Sequence, residues 1–208
     1  MAGGETMSIR KQVEIGECNV PNGKSGDWKV DETVVTEKEA AFSRMRAALN
    51  PGRSWEEVEA GTYKRLCCGG TIVMSNTQME CHELRRFVEW AEGRVLVNGL
   101  GLGIALTAIL KKPEVTYVRV IEKSKDVIAL VGPSFLGQCL DHRLEIIEGD
   151  ALTYKPARGE KYDVIWHDIW NDICGDNLAQ IQLLRKRWVR RCAWQGCWSE
   201  RMIRSLRY

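Results

Sequence analysis

The chain has 208 residues, 44% of them hydrophobic and 28% charged, with a net charge of +2. This composition suits a globular protein with a proper core, and so even a charge balance singles out no partner. No apolar run approaches the ~20 residues needed to span a bilayer, and MAGGETMSIRKQ lacks the apolar stretch of a secretory signal. A cytoplasmic protein without membrane attachment is therefore expected.

The eight cysteines show no small-scaffold spacing and no CxxC pair, and the three histidines lie far apart in sequence. Reduced thiols and no metal site are the reading. Gly23-Lys24-Ser25 is no phosphate loop, because the glycine required five residues earlier is Cys18.

The first thirty-odd residues are polar, with scattered Gly and one Pro, and predict short strands or loosely held chain. Thr36 as N-cap and Glu39 three residues later form a capping box opening a helix over AAFSRMRAAL, which Asn50-Pro51-Gly52 ends. TYKRLCCGGTIVMS reads as a hairpin around Gly69-Gly70. Thr77 and Glu80 form a second capping box, for a helix with apolar positions at Met79, Leu84, Phe87, Val88 and Ala91, and Gly93 stands as its C-terminal glycine.

Strands and helices alternate from there. Strands are predicted at Val95–Val97, Val115–Ile121, Leu144–Ile147 and Tyr162–Trp166, and helices at Ile104–Leu110, Ser124–Val131 and Asp176–Arg191. Continuous apolar strands separated by helices predict a doubly wound, mostly parallel α/β sheet covered on both faces. Little sequence follows the last helix, so the sheet is expected to be short on that side. The division is an N-terminal helix-and-hairpin extension, 1–75, and a ligand-binding α/β domain, 76–208.

Ligands of such sheets bind beyond the carboxyl ends of the strands, and each strand end here carries a distinctive residue. After the first strand come Asn98, Gly99, Gly101 and Gly103. The dinucleotide fingerprint would need its third glycine at position 104, which is Ile104. The tighter spacing suits a small nucleoside better than a pyrophosphate. Glu122, nineteen residues after Gly103, ends the second strand before Lys123 and can accept hydrogen bonds from ribose hydroxyls. Asp150 and Ala151 follow the third strand, where a carboxylate can accept from an adenine amino group. The fourth delivers His167, Asp168 and Trp170 to the rim where a second substrate would sit, while Trp166 is expected to face the core.

In this order the segments resemble class I S-adenosylmethionine-dependent methyltransferases, most closely the spermidine-synthase-like branch. GRVLVNGLGLG is similar to the family's glycine motif, EVTYVRVIEKSKDVIAL to its acidic motif, LEIIEGDAL to its adenine motif and YDVIWHDIW to its catalytic strand. CHEL at Cys81–Leu84 resembles the Tyr-His-Glu segment of those synthases. The resemblance covers about half the chain and implies a Rossmann-like methyltransferase fold with S-adenosyl-L-methionine as methyl donor. It implies that Asn98, Gly99, Gly101 and Gly103 hold the methionine part, Glu122 and Lys123 the ribose, and Asp150 and Ala151 the adenine. Asp168, with His167, would orient or deprotonate a small-molecule or macromolecular acceptor that the sequence does not name.

The chain also departs from that branch. Leu102 replaces the loop acid that helps hold the aminopropyl donor, Asn171 and Asp172 replace an Asp and a Pro, and Cys81 replaces the Tyr. Leu102 is expected to shift the preference toward the intact donor and so counts against an aminopropyltransferase, which stays as an alternative beside a non-catalytic S-adenosyl- or nucleic-acid-binding module; a homodimer is compatible with either. From Arg185 onward eight Lys/Arg face one acid, with Trp188, Trp194 and Trp198 interleaved. Such a segment can grip nucleic acid, but an amphipathic helix packing its tryptophans onto the domain is the preferred reading.

Overall fold

A computed structural model describes residues 13–49, 57–137 and 142–205. The expected helix stop at Asn50-Pro51-Gly52, Cys139 and the last three residues of the tail lie outside them. The other seven cysteines are free thiols.

The polar N-terminal stretch forms real strands. β1 (Gly23–Ser25), β2 (Trp28–Val35), β3 (Gly61–Cys68) and β4 (Thr71–Ser75) make a four-stranded antiparallel sheet in that order. Gly69 and Gly70, both with positive φ, turn β3 into β4. Between β2 and β3 lies α1 (Glu37–Leu49), whose capping box forms as the sequence predicts: the Thr36 N–H donates to Glu39 Oε2 at 2.8 Å and the Glu39 N–H to Thr36 Oγ1 at 3.3 Å.

The second box does not form. Thr77 precedes α2 (Gln78–Trp90) without a side-chain cap bond, and Glu80 is buried elsewhere. Gly93 does not close that helix, which ends at Ala91; it opens the next strand with φ +59°.

The parallel unit is β5 (Gly93–Asn98), α3 (Ile104–Leu110), β6 (Val115–Glu122), α4 (Lys125–Val131), α5 (Pro133–Leu136), β7 (Leu144–Glu148), β8 (Tyr162–His167), α6 (Asn177–Trp188), β9 (Cys192–Cys197) and α7 (Glu200–Ser205). Its five strands run in the order β7-β6-β5-β8-β9, every neighbouring pair parallel. The order reverses beside β5, which makes the carboxyl end of that strand the switch point of the sheet.

Both faces are covered, as continuous apolar strands require. Val95, Val97, Val118, Val120 and Val164 pack with Phe87 of α2, Ile109 of α3 and Val127 of α4. On the other face Leu96, Ile121 and Ile165 pack with Trp188 of α6. This is a doubly wound, Rossmann-like sheet. Val20, Val30 and Leu66 of the antiparallel part belong to the same apolar cluster as the parallel strands, so the two sheets share a core.

The C-terminal segment corrects the expectation of one closing helix. The helix stops at Trp188, and Cys192–Cys197 becomes the fifth parallel strand, pairing with β8 from Tyr162↔Cys192 to His167↔Cys197. Four of its cations are engaged within the fold: Arg185 and Arg204 pair with Glu200, Arg187 donates to the Ala151 and Leu152 carbonyls, and Arg191 to those of Ala157 and Glu160. The last two hold the helix-free connection between β7 and β8.

Trp188 is 1% exposed and lies against Tyr154 and Tyr162 with ring centroids 6.2 and 5.8 Å away. Trp188→Ala should therefore cost ~3–5 kcal/mol in urea unfolding. Trp90→Ala, at a half-exposed ring stacked on Trp194, should cost no more than ~1 kcal/mol.

Candidate functional site

A cleft of about 300 Å³ opens at the carboxyl ends of β5, β6, β7 and β8. Gly99, Gly101, Glu122, Asp150 and Asp168 line it from the parallel sheet, and Trp28, Val73 and Met74 from the antiparallel one. Lys123 and Ala151 are also on its wall. The structure thus brings most of the sequence-predicted residues to one place.

Three of them are not there. Asn98 and His167 are 1% and 0% exposed, at the ends of the neighbouring strands β5 and β8. Asn98 Nδ2 donates to His167 Nδ1 at 2.7 Å, and His167 Nε2–H meets Gln195 Oε1 at 3.2 Å. Gln195 Nε2 in turn donates to the Arg185 carbonyl at 3.1 Å, which leaves its Oε1 as the acceptor. With the Asn98 and Gln195 amides so oriented, the imidazole is neutral with its proton on Nε2, and burial pushes the His167 pKa down to about 4. His167 therefore supports the strand ends from below, and the acceptor-side role expected of it gives way to a structural one. Asn98 likewise gives its side chain to His167 instead of to a ligand.

Gly103 is the third. A Cβ there would lie 2.3 Å from Phe135 Cζ, and its φ of +71° is one that side-chain-bearing residues rarely adopt. Its lack of a side chain makes room for the Phe135 ring. At Gly99 a Cβ would fall 1.9 Å from the Asp168 carbonyl oxygen, and at Gly101 2.6 Å from Met74 Sδ. What approaches this loop so closely is, at each glycine, another part of the protein.

Glu122 ends β6 and bridges the loop to α4. Its Oε2 accepts the Leu100 N–H and its Oε1 the Ser124 N–H, both at 2.8 Å. Each oxygen keeps a further lone pair toward the cleft. Asp150 Oδ1 accepts the Leu152 N–H at 2.8 Å and Oδ2 pairs with Lys123 Nζ at 3.0 Å. Burial pushes its carboxyl up, but the Leu152 N–H and Lys123 outweigh burial and hold it below the usual range.

Asp168 behaves in the opposite way. Burial first, then the nearby Glu80 carboxyl, with Glu83 and Glu122 adding, push it up to about 8, against the Trp166 indole N–H. Burial also pushes Glu80, 9% exposed in the first turn of α2, up to about 7. Sequence reading missed Glu80 because its spacing from Thr77 matches a cap. Trp28, Met74 and Trp198 were missed because nothing local marks them as cleft residues. Trp166 lies in the core, stacked on Phe87 at 5.3 Å, whereas Trp170 reaches the wall and donates to Gln180 Oε1 at 2.7 Å.

No family profile matches the chain, and no curated protein does. Solved structures similar to part of it include a dimethyladenosine transferase from Plasmodium falciparum, at 24% identity over 43% of this chain and 30% of that one, with a TM-score of 0.35. Another is protein arginine methyltransferase 10 of Arabidopsis thaliana, at 22% identity over 53% of this chain and 32% of that one, with a TM-score of 0.40. The shared part spans about a third of either protein.

A carboxyl held at about 8 keeps its proton on folding, whereas in the unfolded chain, at the ordinary value of 3.8, it has already lost it. Between those values rising pH favours the unfolded chain. Asp168→Asn should therefore gain stability over the parent protein by at least ~1 kcal/mol more at pH 8 than at pH 5 in urea unfolding. An equal difference at both values would mean an ordinary carboxylate.

Proposed function

We propose that this protein is an S-adenosylmethionine-dependent methyltransferase. The observation that carries the reading is the convergence of the glycine loop, Glu122, Asp150 and Asp168 from four adjacent parallel strands on one cleft. The residues fit such a donor. Glu122 has lone pairs left for two ribose hydroxyls, the Asp150 turn lies one strand further along for the base, and the loop backbone is open to the cleft at Gly99 and Gly101. When bound, the sulfonium donor supplies an already activated methyl group.

The protein's part is to bind, orient and manage a proton. Glu80, Glu122, Asp150 and Asp168 stand on the wall against a single lysine, Lys123. With Asp150 paired to Lys123 and burial holding protons on Glu80 and Asp168 near neutral pH, that wall favours an acceptor that exchanges hydrogen bonds with carboxyl groups, such as an amine. A carboxyl near 8 is mostly protonated at neutral pH and takes a proton only in its ionised fraction, which grows as the pH approaches 8, and Asp168 is the group we assign to this role.

Aminopropyl transfer, as in spermidine synthases, is the second reading, and the same acidic wall favours it. Leu102 does not decide between the two. Its side chain is 0% exposed and packs in the core, so it neither attracts nor repels a ligand. Leu102→Asp should consequently unfold the protein by burying a charge without redirecting its donor preference.

Calorimetry tests the reading. S-adenosylmethionine should bind at micromolar level and NAD should not, and Glu122→Ala should weaken the former by about 1.5–3 kcal/mol. Tight NAD binding with no S-adenosyl signal overturns it. Turnover of the decarboxylated donor with a diamine, while the intact donor is ignored, would move the assignment to aminopropyl transfer.

A further inference from the structure

Among the amides of the glycine loop, the Gly99 N–H donates to the Ile121 carbonyl, the Leu100 N–H to Glu122 and the Gly103 N–H to the Leu100 carbonyl, at 2.8–2.9 Å. The Leu102 N–H has a different kind of partner. It meets the thioether of Met74 at 3.3 Å. Sulfur is a weak acceptor, so this is the weakest of the four bonds.

Met74 comes from the other sheet, and an irregularity in that sheet aims it. The β3–β4 register shifts between Leu66 and Cys67, from Leu66↔Met74 to Cys67↔Ile72, so Val73 is an extra residue in β4. Successive residues of a regular strand face opposite ways. The bulge lets Val73 and Met74 both line the cleft. Met74 Sδ then rests against Gly101 where a side chain would otherwise be, and both residues line the cleft.

We propose that Met74 is a placeholder within the donor subsite: its thioether holds the Leu102 N–H until a ligand carboxylate takes that N–H and turns Met74 aside. The inference rests on the S-adenosyl reading above. A carboxylate forms a stronger, charge-assisted bond with an amide, and methionine, with three rotatable bonds, repacks readily. Met74 therefore sets the affinity for the carboxylate-bearing end of the donor and has no bearing on the nucleoside end.

The test compares the intact chain with Met74→Ala by calorimetry, using S-adenosylhomocysteine and 5′-methylthioadenosine, which lacks the amino-acid carboxylate. The variant should bind S-adenosylhomocysteine at least about threefold tighter, the worth of one weak hydrogen bond, with methylthioadenosine unchanged. Weaker binding of S-adenosylhomocysteine would make Met74 a wall of the site, and an equal gain for both ligands would make it a bulk obstacle; either overturns the proposal while the donor reading stands. A parent protein that binds neither ligand overturns both.

A second measurement needs no variant. Dilute hydrogen peroxide oxidises a thioether by giving it one oxygen atom and leaving as water, and mass spectrometry counts the sulfoxide at Met74. Sulfoxide should form faster with S-adenosylhomocysteine present, as the side chain is released. Slower or unchanged oxidation means that Met74 stays in place.

Discussion

The arrangement of the site depends on one close approach. The Asp168 carbonyl passes so near Gly99 that a Cβ there would sit 1.9 Å from its oxygen. Contact that tight is open only to glycine, and it is locked by the Asp168 N–H donating to the Asn98 carbonyl at 2.8 Å. The ends of β5 and β8 are thereby pinned together just where the chain leaves the sheet in two directions. Asp168 and Glu80 both stand on the cleft wall, and burial, joined at Asp168 by the Glu80 charge, pushes the pKa of each up. Beneath this contact, the Asn98–His167–Gln195 chain ties three neighbouring strands in register without reaching the cleft.

Much of this was legible in the sequence. The valine- and isoleucine-rich runs located four of the parallel strands, and Ile104–Leu110 was bounded correctly by the glycine before it. The strand-end reading placed Glu122, Asp150 and Asp168 around one crevice because each ends or follows an apolar strand. Two matters were not legible, for physical reasons. Glycine spacing reports that something lies close to the backbone, but not whether it is a ligand or a neighbour, and Phe135 and Met74 are both distant in sequence. Polar residues at adjacent strand ends can point up into a cleft or across to each other, and Asn98 Nδ2 bonds across to His167 Nδ1.

The tail illustrates a third limit. CAWQGC has neither the β-branched run of a buried parallel strand nor clean alternation, so its arginine-rich approach suggested a helix. Tertiary context decides it. Gly196 lets Trp166 and Trp194 approach where a Cβ would lie within 3 Å of both rings, and Gln195 completes the polar chain that starts at Asn98. An edge strand held by packing and one buried side-chain bond carries little of its identity in local propensity.

That fifth strand has a consequence for how the molecule is made. Trp198 lines the cleft, and the Ser199 N–H reaches back to Glu83 at 3.2 Å. Gln195 supports His167, and Arg187 braces the Ala151 and Leu152 carbonyls beside Asp150. The cleft thus joins pieces that lie about a hundred residues apart in the chain, the glycine loop at Gly99 and Gly101 and the ring of Trp198. A nascent chain exposes the loop and the apolar strands long before it can enclose a small molecule. Enclosure of a small molecule therefore requires that β9 has docked on β8, because the segment that follows this strand supplies one wall of the cleft.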